Sequence, residues 1–324
     1  MRIVSLLPSA TEIVAALGLA DHLVGISHEC DYPEQVRDRP RVTRCEIHGS
    51  DLPSPAIDAW VRDTLASRGT LYTLDEELIR DLQPDLILTQ QLCDVCAVNY
   101  GSVAAFAASL PARPRLINLE PKRLTDIYAD IRLVAQASNV PHRAEAVIAG
   151  LEERVQTVVS LVARVQSRPK CFLMEWIDPP FCGGHWNPEL VELAGGADPI
   201  GRKGGPSRRV TWEEIQHADP DVVLLACCGF GVRRTLHETS LLAGKAHWES
   251  LRAVRQGRVY VADGSTYFSR PGPRIVDSLE MLAHVLHPEA VAATAVPAVP
   301  ARLQARAEVS VSLGPDLATA KRSA

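Results

Sequence analysis

Pro84-Asp85-Leu86-Ile87-Leu88-Thr89 decides the fold. Proline carries no N–H and biases its neighbour away from helix, so it closes the helical pattern before it. The apolar run that follows is too short for a helix. It reads as a strand buried on both faces, the kind found in parallel sheets. Pro220-Asp221-Val222-Val223-Leu224 repeats the signal later in the chain, which points to two similar halves.

Working outward, Ile3–Leu7 is a first strand, followed by a helix opening at Ser9-Ala10-Thr11-Glu12. Ser9 and Glu12 stand at capping-box spacing, and Gly18 ends that helix. Leu23–Ile26 is the next strand, and the stretch 39–55, irregular in pattern, carries Cys45 and His48. Helices over 55–67, 75–82 and 99–110, an extended piece at Thr70–Thr73 and a strand at Arg115–Leu119 complete a βαβ series, hence a parallel sheet. From Thr125 to Gln166 the pattern is helical, broken only at Asn139-Val140-Pro141, and Pro141 suits the first position of a new helix. Val147, Ile148, Leu151, Val155, Val158, Val159 and Val162 recur at helical intervals. At 1.5 Å per residue, a helix over 141–166 is roughly 39 Å long, a rigid spine between lobes. Beyond it come strands at Cys171–Trp176, Val222–Ala226 and Val259–Ala262, a helix Asn187–Leu193 stopped by Gly195-Gly196, and a last helix Pro273–Leu286.

The expected fold is α/β, with two Rossmann-like lobes of mainly parallel sheet joined by one long backbone helix. The N-terminal lobe takes residues 1–140, the connecting helix 141–167 and the C-terminal lobe 168–288. Residues 289–324, dominated by Ala, Val, Pro and Arg, are expected to be a mostly disordered tail.

The chain has 324 residues, enough for two domains, with 46% hydrophobic and 23% charged residues. A net charge of −5 argues against a nucleic-acid surface, which calls for a clustered basic face. No apolar run approaches the roughly 20 residues of a membrane span. Met1-Arg2 runs straight into Ile3–Leu7 without the pattern of a secretory signal, so the expected location is cytoplasmic, or periplasmic if the true start lies elsewhere. In a reducing compartment the eight cysteines are thiols, ligands or packed core.

The chemistry-bearing residues gather just past the carboxyl ends of these strands, where open α/β sheets form their ligand crevice. His28 and Cys30 follow the second strand, Cys93 and Cys96 follow Asp85–Thr89, Cys182 and His185 follow Cys171–Trp176, and Cys227-Cys228 close Val222–Leu225. Such donors converging on one cleft suit a large, apolar or metal-bearing ligand. Cys93-Asp94-Val95-Cys96 admits three uses, as a redox pair, as metal ligands or as pocket lining. The chain has no second Cys-x-x-Cys to complete a structural zinc site. In Cys182-Gly183-Gly184-His185-Trp186 the glycines would let a ligand approach the backbone, while Phe181 and Trp186 supply flat apolar area. Cys93, Cys96, Cys182, His185 and His28 are thus candidate metal ligands. Arg202–Arg209 is basic and reads as a solvated loop, with a pocket contact to an acidic group as the alternative. Phosphate-loop, dinucleotide, nucleophile-elbow and zinc-protease signatures are missing, so the expectation is a non-catalytic protein.

Several local sequences resemble the cobalamin-binding branch of the helical-backbone (class III) periplasmic substrate-binding proteins of ABC importers. Ile3-Val4-Ser5-Leu6-Leu7-Pro8-Ser9-Ala10-Thr11-Glu12 is similar to that family's first strand and cleft loop, and Asp31-Tyr32-Pro33 to its next cleft loop. Ile177-Asp178-Pro179-Pro180-Phe181 resembles the loop opening its second lobe, and Phe268-Ser269-Arg270-Pro271-Gly272-Pro273-Arg274 the segment before its last helix. The likeness covers residues 1 to about 288. It implies a corrinoid, cobalamin above all, bound between two lobes, with Pro8, Ser9, Tyr32, Phe181, Phe268 and Arg270 as contacts. Cys93, Asp94, Cys96 and Trp186 join them from the reading of the loops, with cobalt, iron or zinc as the metal contacted. Haem, an iron chelate or zinc held by Cys and His is the alternative cargo, and a Cys-x-x-Cys redox enzyme a lesser one. The resemblance implies an ABC permease as partner if the chain is exported. For a cytoplasmic chain it implies storage, delivery or sensing.

Overall fold

The computed structural model describes residues 1–91, 98–291 and 301–302. The chain divides into two compact units, Met1–Glu152 with Pro271–Pro273, and Glu153–Arg270 with Arg274–Ala324.

The first unit contains β1 (Ile3–Ser5), α1 (Pro8–Ala16), β2 (Leu23–Ile26), β3 (Thr43–Cys45), α2 (Ser54–Arg68), β4 (Tyr72–Leu74) and α3 (Glu76–Leu82). It continues with β5 (Leu86–Thr89), α4 (Tyr100–Ser109), β6 (Arg115–Asn118) and α5 (Leu124–Ala137). Its main sheet runs β2-β1-β5-β6, every pair parallel. Leu86, Ile87, Leu88 and Thr89 are all buried, which is why this strand shows no alternation of apolar and polar residues. Val4, Leu6, Ile87, Val103 and Phe106 pack into one core cluster on this sheet. The stretch read as irregular holds a strand, because Thr43–Cys45 pairs antiparallel with Tyr72–Leu74 into a separate ribbon.

From α6 (Pro141–Val162) the chain passes into the second unit, and the boundary falls inside this helix. Its 22 residues span about 33 Å, one turn shorter than the apolar periodicity predicts. Its amino half is tied within the first unit, where Arg143 donates to the Leu17 carbonyl at 2.9 Å. Its carboxyl half is tied within the second by Arg154, whose guanidinium meets Asp277 at 2.6 Å and Glu280 at 2.8 Å.

The second unit contains β7 (Cys171–Trp176), β8 (Phe181–Cys182), α7 (Asn187–Leu193), β9 (Arg208–Arg209), α8 (Trp212–Ala218) and β10 (Val222–Leu225). Then come α9 (Val232–Glu238), α10 (Ala246–Glu249), α11 (Arg252–Arg255), β11 (Val259–Val261), α12 (Ile275–Leu286) and β12 (Ala301–Arg302). The sheet order is β12-β11-β10-β7-β8-β9, parallel across β11-β10-β7 and antiparallel at both edges. Ala301–Arg302, inside the segment expected to lack structure, pairs with Tyr260–Val261. The other tail residues from 292 onward lie outside the described residues.

The repeated Pro-Asp signal has one structural cause in both units. Gln83 and Asp219 each end a helix in the left-handed region, at φ 43° and 41°. After the proline, the Asp85 carboxylate accepts the N–H of Arg2 at 2.7 Å, and the Asp221 carboxylate accepts that of Lys170 at 2.8 Å. The aspartate amides donate back, to the Arg2 carbonyl at 2.8 Å and the Lys170 carbonyl at 2.9 Å. Each aspartate therefore latches the start of its own strand to the start of β1 or β7.

Candidate functional site

In the first unit, the loops at the carboxyl ends of β1 and β2 are braced by a buried polar knot. The Thr11 hydroxyl donates to the Ser5 hydroxyl at 2.9 Å and lies 3.1 Å from the Cys30 sulfur. Cys30 is 1% exposed, so it does not share an open face with His28. Ser9 is buried in the first turn of α1, and Pro8 is half-buried at its start. Tyr32 stands in the loop after β2 and is 46% exposed, one of three large apolar side chains that reach the surface among the described residues.

The same loop carries an unforeseen cluster. His28 Nδ1 lies 2.7 Å from the Thr43 hydroxyl, which also accepts the His28 backbone N–H at 3.0 Å. His48 Nδ1 lies 2.7 Å from Glu29 Oε1. The two imidazoles meet edge to face with centroids 5.0 Å apart, and Tyr72 flanks His28 at 5.6 Å. Burial pushes the His28 pKa down against the opposing pull of Glu29, while His48 and Arg41 lower it further. The sequence marked His28 past a strand end, beside Cys30, but gave no role to Glu29. His48 was not tied to it, because only tertiary structure brings its loop across.

In the second unit several expected contacts are structural instead. The Phe268 ring is fully buried, and its carbonyl accepts the Trp186 indole N–H at 3.0 Å and the Asn187 amide at 3.3 Å. Trp186 is 5% exposed. Neither ring offers the open face expected of it, since both fill volume inside the unit. Cys182 joins the core cluster with Met174, Ile177 and Cys227, and burial raises its thiol above the usual range, which argues against a ready thiolate ligand. Gly184 does admit a close approach, but of the chain itself, since a Cβ there would collide with the backbone N of Ser207. His185 sits on that turn at φ 53°, stacked 5.5 Å from Trp186, and forms no three-donor cluster with Cys182. Arg270 is buried and Phe181 half-buried.

Other groups occupy the carboxyl ends of β7 and β10. Trp176 packs 4.9 Å from Phe230, whose ring lies 4.9 Å under the Arg234 guanidinium. Behind them the Glu175 carboxylate accepts from Asn187 at 2.6 Å, from the Gly184 N–H at 3.3 Å and from the Ser207 hydroxyl. Burial outweighs these donors and lifts its pKa to about 7. Cys227 is buried, which raises its thiol to about 12, and Cys228 is half-buried. Cys171, which opens β7, is packed in the sheet.

A cavity of about 420 Å³ in this unit is lined by Arg168, Glu189, Glu192, Asp198 and Lys203. Its charged lining does not suit an apolar macrocycle. One of about 310 Å³ in the first unit is lined by Cys45, Trp60, Leu71, Tyr72, Arg44 and Arg68, beside the His28 cluster. Cys93, Asp94 and Cys96 lie outside the described residues.

The sequence profile described as Periplasmic binding protein matches residues 3–266. The chain belongs to this family. A vitamin B12-binding protein of Vibrio cholerae serotype O1 is 25% identical over 292 residues, covering 88% of each chain. Another from Yersinia pestis is 25% identical, covering 87% of this chain and 84% of its own. Two solved structures share the fold. The periplasmic vitamin B12-binding protein of Vibrio cholerae matches with TM-score 0.64 and 24% identity, covering 89% of this chain and 96% of its own. The apo periplasmic heme-binding protein of Roseiflexus sp. RS-1 matches with TM-score 0.67 and 23% identity, covering 89% and 98%. The expected α/β architecture of class III binding proteins is thus present, and the family consists of substrate-binding proteins rather than enzymes. The cytoplasmic expectation finds no support in a periplasmic family, whereas the periplasmic alternative fits it. No helix among the described residues is long and apolar enough to cross a membrane.

Proposed function

We propose that this periplasmic binding protein is a non-catalytic receptor for a corrinoid, with cobalamin as the preferred ligand. The likeness to vitamin B12-binding proteins along 88% of both chains carries the reading. Tyr32 supports it, since an aromatic ring held in the open on a strand-end loop suits the broad apolar face of a macrocycle. Half-buried Pro8 and Phe181, each within its own unit, are the remaining contacts, while Ser9 and Arg270 are as buried as Trp186 and are not counted among them. Cys93, Asp94 and Cys96 are proposed to line the site, and either thiol would suit an axial position on cobalt. An exported chain hands its ligand to an ABC permease.

Haem is the second reading, favoured by heme-binding proteins among the solved structures of the same fold. Retention through desalting separates the two. The purified protein is incubated with cyanocobalamin or with hemin, and the absorbance of the protein fraction is recorded. A retained corrin spectrum, weakened at least about tenfold in affinity by Tyr32→Ala, is expected for an aromatic anchor. Haem retention without corrin retention would replace the first reading with the second. Cys93→Ser and Cys96→Ser are expected to shift the bound spectrum if a thiolate touches the metal.

A further inference from the structure

Beyond corrinoid binding, we infer that His28, Glu29 and His48 form a site for a divalent first-row transition ion. One nitrogen of each imidazole and one carboxylate oxygen lie within 4.8 Å of one another. Ligands about 2.1 Å from a tetrahedral ion stand roughly 3.4 Å apart. His28 Nε2 and Glu29 Oε1, at 3.6 Å, already span such an edge. The 2.7 Å contact of His48 with Glu29 has to widen by under about 1 Å to match it. Side-chain rotation can do this, because the His48 side chain is 49% exposed and that of Glu29 34%.

The deciding atom is His28 Nε2, which is enclosed and has no hydrogen-bond partner. Burying such an atom unpaired is unfavourable unless a ligand takes its lone pair. The other ring nitrogen is held by Thr43, itself 2% exposed, and this aims Nε2 toward Glu29. Metal-bound imidazoles are oriented in this way, with the second nitrogen fixed by an outer partner. A simple Glu29–His48 ion pair would explain neither the second ring nor its unpaired nitrogen. Arg41 brings positive charge nearby, but its guanidinium donates to the carbonyls of Ser27, Cys30 and Arg37. Two imidazoles and one carboxylate suit zinc, cobalt(II) or iron(II) rather than calcium or magnesium, which take oxygen donors. Three protein ligands leave a coordination position open, on the strand-end side of the sheet.

The full chain, stripped with a chelator, is titrated with Co²⁺, whose visible absorption reports its ligands, and then with Zn²⁺ in competition. No corrinoid is present, so the outcome does not depend on the cobalamin reading. Saturable one-to-one binding is expected, weakened at least about tenfold by Glu29→Gln or His48→Ala. Thr43→Val is expected to weaken it by roughly 10- to 100-fold while keeping the cobalt band, because Thr43 orients a ligand without being one. Zn²⁺ is expected to raise the unfolding midpoint of the native chain and not of His48→Ala, whose exposed position keeps the fold intact. Three outcomes would overturn the site: no saturable Co²⁺ binding, binding unchanged in a His28→Ala/His48→Ala double variant, or a band lost only in Cys93→Ser/Cys96→Ser.

Discussion

Asp85 in the first unit and Asp221 in the second close the same latch, on Arg2 at 2.7 Å and on Lys170 at 2.8 Å. Elsewhere along their sheets, in loops that follow other strands, the two units diverge. In the first, Tyr32 is 46% exposed and the His28, Glu29 and His48 side chains gather with an imidazole nitrogen unpaired. In the second, Phe268, Trp186 and Cys182 are each at most 5% exposed. The same βαβ construction thus carries polar and aromatic groups outward in one unit and consumes them as packing in the other. An aromatic residue at a strand end is therefore only a candidate until its burial is known.

The contrast is easiest to break with the aromatics. Phe268→Ala empties a fully buried site and is expected to cost about 3–5 kcal/mol of unfolding free energy in urea. Tyr32→Ala is expected to cost under about 0.5 kcal/mol while weakening ligand binding. Equal losses of stability would erase the distinction between the units.

Among the described residues, a buried carboxyl group in each unit has a pKa near neutrality. Asp130 in α5 is raised to about 7 by burial, with Asp126 and Glu120 adding repulsion, and Glu175 is raised to about 7 mainly by burial. Both bind a proton more tightly folded than unfolded. Their stabilising contribution is complete below the ordinary carboxylate pKa, near 4, and is lost as pH rises through about 7. Between about pH 5 and 8, unfolding free energy is expected to fall by on the order of 2 kcal/mol from each of these groups. Asp130→Asn and Glu175→Gln should each flatten part of that slope in urea titrations at stepped pH, and a slope unchanged in the double variant would refute the assignment.

The latches give the smallest effects. Asp85→Ala is expected to cost about 1 kcal/mol and Asp221→Ala about 2 kcal/mol. The difference arises because Asp221 also pairs with Arg252 at 2.8 Å. A loss at Asp85 as large as that at Asp221 would mean that the Arg252 pairing does not add to the second latch.

Much of this architecture is legible in the chain because it depends on neighbours in sequence. Apolar runs such as Leu86–Thr89 and Val222–Leu225 are buried on both faces, so composition alone marks them as strands. The stripe Ile148, Leu151, Val158, Val162 is buried along α6 at helical spacing. Thr43–Cys45 escaped notice because a three-residue strand has no periodicity of its own and exists through its pairing with Tyr72–Leu74. Gly183-Gly184 was misread for a related reason, since sequence shows that a close approach is permitted but not by what. At Gly184 the approaching group is the chain's own Ser207 backbone.

The sequence by itself determined the buried parallel strands, the connecting helix, the repeated Pro-Asp signal and the family, because these follow from local pattern and from likeness along the chain. Only the tertiary structure decided which strand-end side chains are free to meet a ligand. That depends on long-range packing: it brings His48 to Glu29 from a loop 19 residues away and sinks Phe268 beneath the Trp186 indole from 82 residues away.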